Sequence, residues 1–193
     1  LTPYYHCISR VVRRAFLCGT DPLTGHNFDH RKLWIAERLK ELVGIFAVDI
    51  CSYGLMSNHF HLLVSCPTSS LSDFLRRATG RYERSFNKRW DSDGPIFRSR
   101  SLSVEIKSDA HLAEVSRYIH LNPVRAGLSA AAADWRWSSA GTYLGSAPCP
   151  DWLCTDMLRD MFSGTAPGTD YASFLADGVS ADLAKSYSES GWS

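Results

Sequence analysis

The sequence predicts an α+β chain: a ferredoxin-like βαββαβ sandwich with an antiparallel sheet, one further helix after it and a helical tail. Three observations carry that prediction. Short runs rich in branched and aromatic residues alternate with longer amphipathic stretches, in the order strand, helix, strand, strand, helix, strand, helix. The second and third strand-like runs are joined across Ser57-Asn58, a turn signal that makes them a hairpin. The 193 residues suit one domain with an appendage, and they can bury a sizeable core.

Tyr4 to Arg10 reads as the first strand, with His6 inside it and Arg10, Arg13 and Arg14 clustered at its exit. Such a cluster either holds phosphates or is simply solvated. Gly19 to His30 is a loop of turn formers. Asp29 is placed to cap the helix His30 to Val43, which Gly44 should end. Ile45 to Leu55 and Asn58 to Cys66 form the hairpin. After a break at Pro67-Thr68-Ser69-Ser70, Leu71 to Trp90 is a long helix with Phe74, Leu75, Ala78, Tyr82 and Phe86 at core spacing. Its other face carries Arg76, Arg77, Arg81, Arg84, Lys88 and Arg89. A face of that kind is either solvated or, with Tyr82, Phe86 and Trp90 beside it, a track on which cations grip phosphate and rings stack on bases. Asp91 to Pro95 turns the chain. Ile96 to Ile106 is the fourth strand, with Arg98 and Arg100 on one face, and Ser108 to Asn122 is the helix that follows. Helices on one face of the sheet would leave the other face open to a substrate.

Beyond Leu128 the composition changes. Residues 1–128 hold 18 of the 21 Lys and Arg and 12 of the 20 Asp and Glu, a net +6, whereas residues 129–193 carry −5. The first part can attract a polyanion and the tail cannot. Trp135 and Trp137 read as packing anchors, and Pro148 and Pro150 as a linker. Short helical patterns follow near Asp151–Phe162 and Asp170–Ala176. The 6 cysteines complete no zinc-type pairing and read as reduced thiols. No run reaches the roughly eighteen apolar residues of a membrane span and no signal peptide opens the sequence. A soluble, cytoplasmic protein with no membrane partner is therefore the expectation.

Two stretches carry chemistry. In Asn58-His59-Phe60-His61-Leu62-Leu63, strand alternation points His59 and His61 to one face, about 7 Å apart, and sends Phe60 into the core. Two such imidazoles can share a divalent metal; the bland alternative is a pair of histidines on a wet sheet face. In Tyr118-Ile119-His120-Leu121-Asn122-Pro123-Val124-Arg125-Ala126-Gly127-Leu128, Pro123 should stop or kink the helix near Asn122. Tyr118 and Asn122 then sit one turn apart on one face at a helix end. The alternative there is a core tyrosine and a helix terminator.

With Gly94-Pro95-Ile96-Phe97-Arg98-Ser99-Arg100 between them, these stretches resemble the IS200-like single-tyrosine transposase family, and within it the branch associated with repetitive extragenic palindromes. The resemblance runs from about Tyr4 to Leu144. It implies that residues 1–128 form a catalytic domain whose extra C-terminal helix is catalytic, with residues 129–193 as a helical tail packed on it. It also implies a metal-dependent single-stranded DNA endonuclease and strand transferase acting at hairpin-forming palindromic DNA. Tyr118 would be the nucleophile, leaving a 5′-phosphotyrosine and a free 3′-hydroxyl. His59 and His61 would hold the metal with Asn122 as candidate third ligand, and imidazole and oxygen donors suit Mg²⁺ or Mn²⁺. DNA contacts would come from Arg10, Arg13, Arg14, Arg77, Arg81, Arg84, Lys88, Arg98 and Arg100. His120, two residues from Tyr118, faces away, so no general base is assigned. Monomer and homodimer both stay open. Two rival readings stand beside this one: a non-catalytic nucleic-acid-binding module on the same scaffold, and a metal-dependent phosphodiesterase in which water replaces Tyr118.

Overall fold

The computed structural model describes residues 3–12, 18–20, 24–91, 93–98, 101–164 and 170–189. Strand β1 (Tyr4–Arg10), helix α1 (His30–Phe46), strands β2 (Asp49–Leu55) and β3 (His59–Ser65), helix α2 (Thr68–Trp90), strand β4 (Leu102–Glu105) and helix α3 (Asp109–Arg125) follow in the expected order. The strands form one sheet in the order β2-β3-β1-β4, each pair of neighbours antiparallel. The fold is therefore α+β, the split βαββαβ sandwich.

Strand alternation divides the apolar residues between two cores. Tyr5, Cys7, Phe60, Leu62 and Val64 face α1 and α2, where Leu39, Leu42 and Phe74 meet them. Ile8, Cys51 and Leu63 face the other way, against Leu112, Val115 and Ile119 of α3. The expectation of an open second face is corrected here, because α3 lies across β2 and β3. A glycine makes that approach possible. Gly54 sits directly opposite His61 on the neighbouring strand, and a Cβ there would meet the Ile119 carbonyl at 3.3 Å. This carbonyl is the one that Pro123, four residues on, cannot bond. Of the stop or kink expected near Asn122, the stop does not occur; α3 runs through Pro123 to Arg125.

Other boundaries shift for local reasons. α1 passes Gly44 and ends at Ala47, which takes the left-handed conformation at φ 47°. The added turn places Phe46 edge-on against Phe74. Asp29 precedes α1, but its carboxylate bonds Lys32 Nζ at 2.7 Å rather than a helix N–H. The expected fourth strand is divided. Ile96 to Arg98 pairs with Arg10 to Val12, whereas β4 pairs with Tyr5 to Ile8. Glu83 of α2 accepts the N–H groups of Ile96 (3.1 Å) and Phe97 (2.9 Å) and holds that first piece against the α1/α2 core.

The remaining chain forms a 3₁₀ turn (Ala132–Asp134) and helices α4 (Ala140–Tyr143), α5 (Asp156–Met161), α6 (Tyr171–Ala176) and α7 (Ala181–Glu189), the last of which the sequence reading did not contain. Trp137 is buried in the α1/α2 core, Trp135 Nε1 donates to the Leu55 carbonyl at 3.1 Å, and the Lys32 ammonium lies 4.4 Å from the Trp135 ring. Leu153 bridges to Ile50 in parallel and covers part of the β2 edge. Leu158 of α5 and Tyr187 of α7 complete the core on the α3 side. Among the described residues no helix is long and apolar enough to cross a membrane.

Candidate active site

β3 is flanked by β1 and β2 and presents His59 and His61 beneath α3, whose Tyr118 points down at them. The Tyr118 and His61 ring centroids are 5.6 Å apart, and those of His59 and His61 are 4.8 Å apart. All three are buried, Tyr118 and His61 completely and His59 to 6 % exposure. Each imidazole has one nitrogen engaged. His59 Nδ1 donates to Asn58 Oδ1 at 2.6 Å, and His61 Nδ1 lies 3.1 Å from Nε2 of His6 on β1. Nε2 of His59, Nε2 of His61 and Oη of Tyr118 have no hydrogen-bond partner. A buried polar atom left without any partner costs about 1–3 kcal/mol, so three in one ring cluster mark a place where the fold itself does not complete the pairing.

Burial pushes the His59 imidazole down to about 4 and His6 to about 3. Burial, with the neighbouring His59 and His6, holds His61 well below its ordinary value. Neutral imidazoles with unused Nε2 atoms are the form a cation binds, so these residues fit Mg²⁺ or Mn²⁺. Asn122, 7 % exposed, stands beside the Tyr118 hydroxyl and offers an oxygen. Among the described residues, no group of three or more His, Cys, Asp or Glu is arranged to hold a metal. Burial raises the Tyr118 phenol above its usual range. Arg125, whose guanidinium lies 5.2 Å from the ring, opposes that rise, as do Asn122 and Arg10. Arg10 is the residue paired with His59 across β1 and β3, and its backbone carbonyl accepts the Arg98 N–H at 2.8 Å.

The tail closes this site. Tyr187 of α7 stacks on Tyr118 with centroids 4.4 Å apart, and its hydroxyl hydrogen-bonds His6 Nδ1. Tyr171 of α6 bonds Ser116 at 2.7 Å and His120 Nδ1 at 2.6 Å, while His120 Nε2 bonds Ser139 at 2.7 Å. His120 thus faces away from Tyr118, as expected, and both its nitrogens are occupied. Arg117 Nη1 donates to the Phe174 carbonyl at 2.9 Å and fastens α6 to the tyrosine helix.

Four residues of the site carried no role in the sequence reading: His6, Asn58, Arg125 and Tyr187. His6 was legible from its parity with Ile8 on β1, and Arg125 from its place seven residues after Tyr118 on one helix face. Nothing in the sequence marks Tyr187. The expected DNA-contacting residues separate into groups. Arg10 and Arg98 adjoin the site. Arg84 lines a groove between α2 and β4 with Arg76, Asn87, Phe97, Arg98 and Ser101. Arg77 and Arg81 lie on the α1 side of α2, Arg81 bonded to Glu41 at 3.1 Å and Arg77 5.5 Å from the Phe46 ring. Lys88 is exposed. Arg13, Arg14, Arg100 and the side chain of Trp90 lie outside the described residues. Tyr82 and Phe86, read as possible stacking rungs, pack on each other, and Tyr82 packs on Phe97 in the core.

The protein is thus of the α+β class, with a strand carrying two histidines under a helix carrying a tyrosine on an antiparallel sheet. The family model described as "Transposase IS200 like" matches residues 2–122, and the chain belongs to that family of transposases. Among solved structures, one of a REP-associated tyrosine transposase bound to a REP hairpin matches with a TM-score of 0.57 at 16% sequence identity, covering 81% of this chain and 87% of that one. A transposase candidate from Deinococcus radiodurans R1 matches with a TM-score of 0.42 at 16% identity, covering 62% of this chain and 89% of its own. None of the curated proteins matches the sequence.

Proposed function

We propose that this transposase is a metal-dependent, single-stranded DNA nicking and joining enzyme that acts at hairpin-forming palindromes. The observation that carries the reading is the buried trio of Tyr118 Oη, His59 Nε2 and His61 Nε2, close together and each without a partner. His59 and His61, with Asn122 as third donor, would hold the cation. Bound there, Mg²⁺ or Mn²⁺ supplies Lewis-acid polarisation of the scissile phosphate. The Tyr118 oxygen gives up its proton to solvent as it attacks phosphorus, and solvent returns one to the leaving 3′-oxygen. The P–O3′ bond breaks, the 3′-oxygen leaves as a hydroxyl, and the 5′-phosphate stays on Tyr118. The reverse attack by a 3′-hydroxyl rejoins a strand without any nucleotide cofactor. Arg125 and Arg10 oppose the burial that raises the phenol, which suits them to stabilise phenolate and phosphate charge. Arg98, whose N–H bonds the Arg10 carbonyl, is suited to the strand flanking the site, and the hairpin bound in the REP-associated neighbour supports that class of substrate. Residues 1–128 are the catalytic part, and residues 129–193 a tail whose Tyr187 must move before DNA reaches Tyr118.

The test is covalent trapping. The protein, a 5′-flanked hairpin oligonucleotide and Mn²⁺ are incubated and run on a denaturing gel beside Tyr118→Phe and His61→Ala. We expect a shifted protein–DNA band that both variants lose. Cleavage that survives Tyr118→Phe without a covalent band would overturn the reading in favour of hydrolysis.

A further inference from the structure

We infer that His6 is a positioning residue for the metal site: it fixes the tautomer of His61 so that Nε2 carries a lone pair instead of a hydrogen. The inference rests on the metal reading of His59 and His61 above. His6 pairs with Leu63 across β1 and β3, which puts it diagonally beside His61 on the same sheet face. The two rings stack with centroids 5.2 Å apart, His6 Nε2 facing His61 Nδ1 at 3.1 Å.

A neutral imidazole has one N–H and one lone pair. His59 is settled by Asn58, because a carboxamide oxygen only accepts and so the hydrogen is on His59 Nδ1. At His61 the contact partner is another imidazole, and either ring can donate. The unpartnered atom decides between them. His61 Nε2 is buried and no protein group bonds it, and an orphaned N–H is rarer in proteins than an under-satisfied acceptor. The hydrogen therefore belongs on Nδ1, donated to His6 Nε2. His6 then carries its own hydrogen on Nδ1 and donates it to the Tyr187 oxygen. In this chain of three rings every engaged nitrogen has one role, and both Nε2 atoms under Tyr118 are left as acceptors. Neighbours of this kind typically govern metal affinity by 10–100-fold.

The experiment compares two polar replacements of similar folding risk. A Gln side chain reaches the place of His6 Nε2 and can accept from His61; an Asn side chain reaches only the place of Nδ1 and cannot. Mn²⁺ binding to the full-length chain is measured by titration calorimetry, with thermal melting of the metal-free protein as the control for folding. We expect His6→Asn to weaken binding by about 10–100-fold and His6→Gln to stay within about threefold of the original. Long-range ¹H–¹⁵N spectra of the metal-free protein should show His61 protonated at Nδ1, and mixed tautomers in His6→Asn. Equal Mn²⁺ affinity in both variants and the parent, or a His61 protonated at Nε2, overturns the role of His6. Absence of Mn²⁺ binding by the parent, or binding that His61→Ala leaves intact, overturns the metal site itself and the inference with it.

Discussion

On one face of β3, Phe60, Leu62 and Val64 meet α1 and α2 in a core of apolar side chains. On the other face, the same seven residues present His59 and His61 to α3, in a cluster with His6, Tyr118 and Tyr187. Both faces are buried, so exposure alone does not tell them apart. What differs is satisfaction. The first face leaves nothing polar to pair. The second leaves three polar atoms without a protein partner, although Ser116 and His120 on the same helix are satisfied, by Ser52 and Tyr171 and by Tyr171 and Ser139. A site built for a reaction can be recognised by polar atoms that the fold could have paired and did not.

The largest effect expected on this contrast comes from Tyr118→Phe. Covalent product on a hairpin substrate should fall by at least about a thousandfold. Urea unfolding should show the variant no less stable, because it removes a buried oxygen without a partner. On the opposite face, Phe60→Ala should lower unfolding free energy by about 3–5 kcal/mol, since Phe60 is 1 % exposed and bordered by Phe97. A loss of stability in Tyr118→Phe as large as that in Phe60→Ala would erase the distinction drawn between the faces. Tyr187→Ala should uncover Tyr118 and raise the rate of covalent trapping on the order of tenfold, as expected when a competent state is freed from a closed one. An unchanged rate would show that α7 already leaves the site in solution.

Acid should affect the histidine face first. His6, His59 and His120 are held at about 3, 4 and 3 by burial, against about 6.5 in an unfolded chain. Their folded values are lowered, so the unfolded state takes up protons first as pH falls. The stability they lend is complete above about pH 6.5 and is lost progressively toward pH 4 and 3. Urea midpoints measured from pH 8 to 4 should be flat at first and then decline; a midpoint that holds down to pH 4 would count against buried neutral rings. The smallest effect expected is that of Gly54→Ala. Its methyl would press on the Ile119 carbonyl and shift α3 by a few tenths of an ångström, lowering the melting temperature by a few degrees, roughly 1 kcal/mol.

The sandwich was legible because its signals are local: alternation in β3, amphipathic spacing in α2 and a hairpin turn between β2 and β3. The pairing of His59 with His61 on one face follows from the same alternation. The boundaries went wrong where tertiary contacts overrode propensity. Gly44 continues a helix because Phe46 finds Phe74, and Pro123 continues one because its lost carbonyl partner lies against Gly54. Glu83 reached from α2 to divide the fourth strand, a contact thirteen residues long in sequence that no pattern announces. His6 was visible as a residue and not as a neighbour, because strand order had to be known before β1 could be placed beside β3. Tyr187 lies at the far end of an acidic tail, and only folding brings it to Tyr118.

The way Lys32 is held has a practical consequence for ionic strength. Its ammonium is 1 % exposed, paired with Asp29 and set against the ring of Trp135, which joins α1 to the start of the tail. Dissolved salt screens exposed charges strongly and reaches the buried ammonium much less, although Asp29 is itself 40 % exposed. Arg84 and Lys88 are exposed, and phosphate contacts made by exposed cations weaken steeply as salt rises. On the proposed function, sodium chloride should therefore weaken nucleic-acid binding while leaving the Trp135 junction docked.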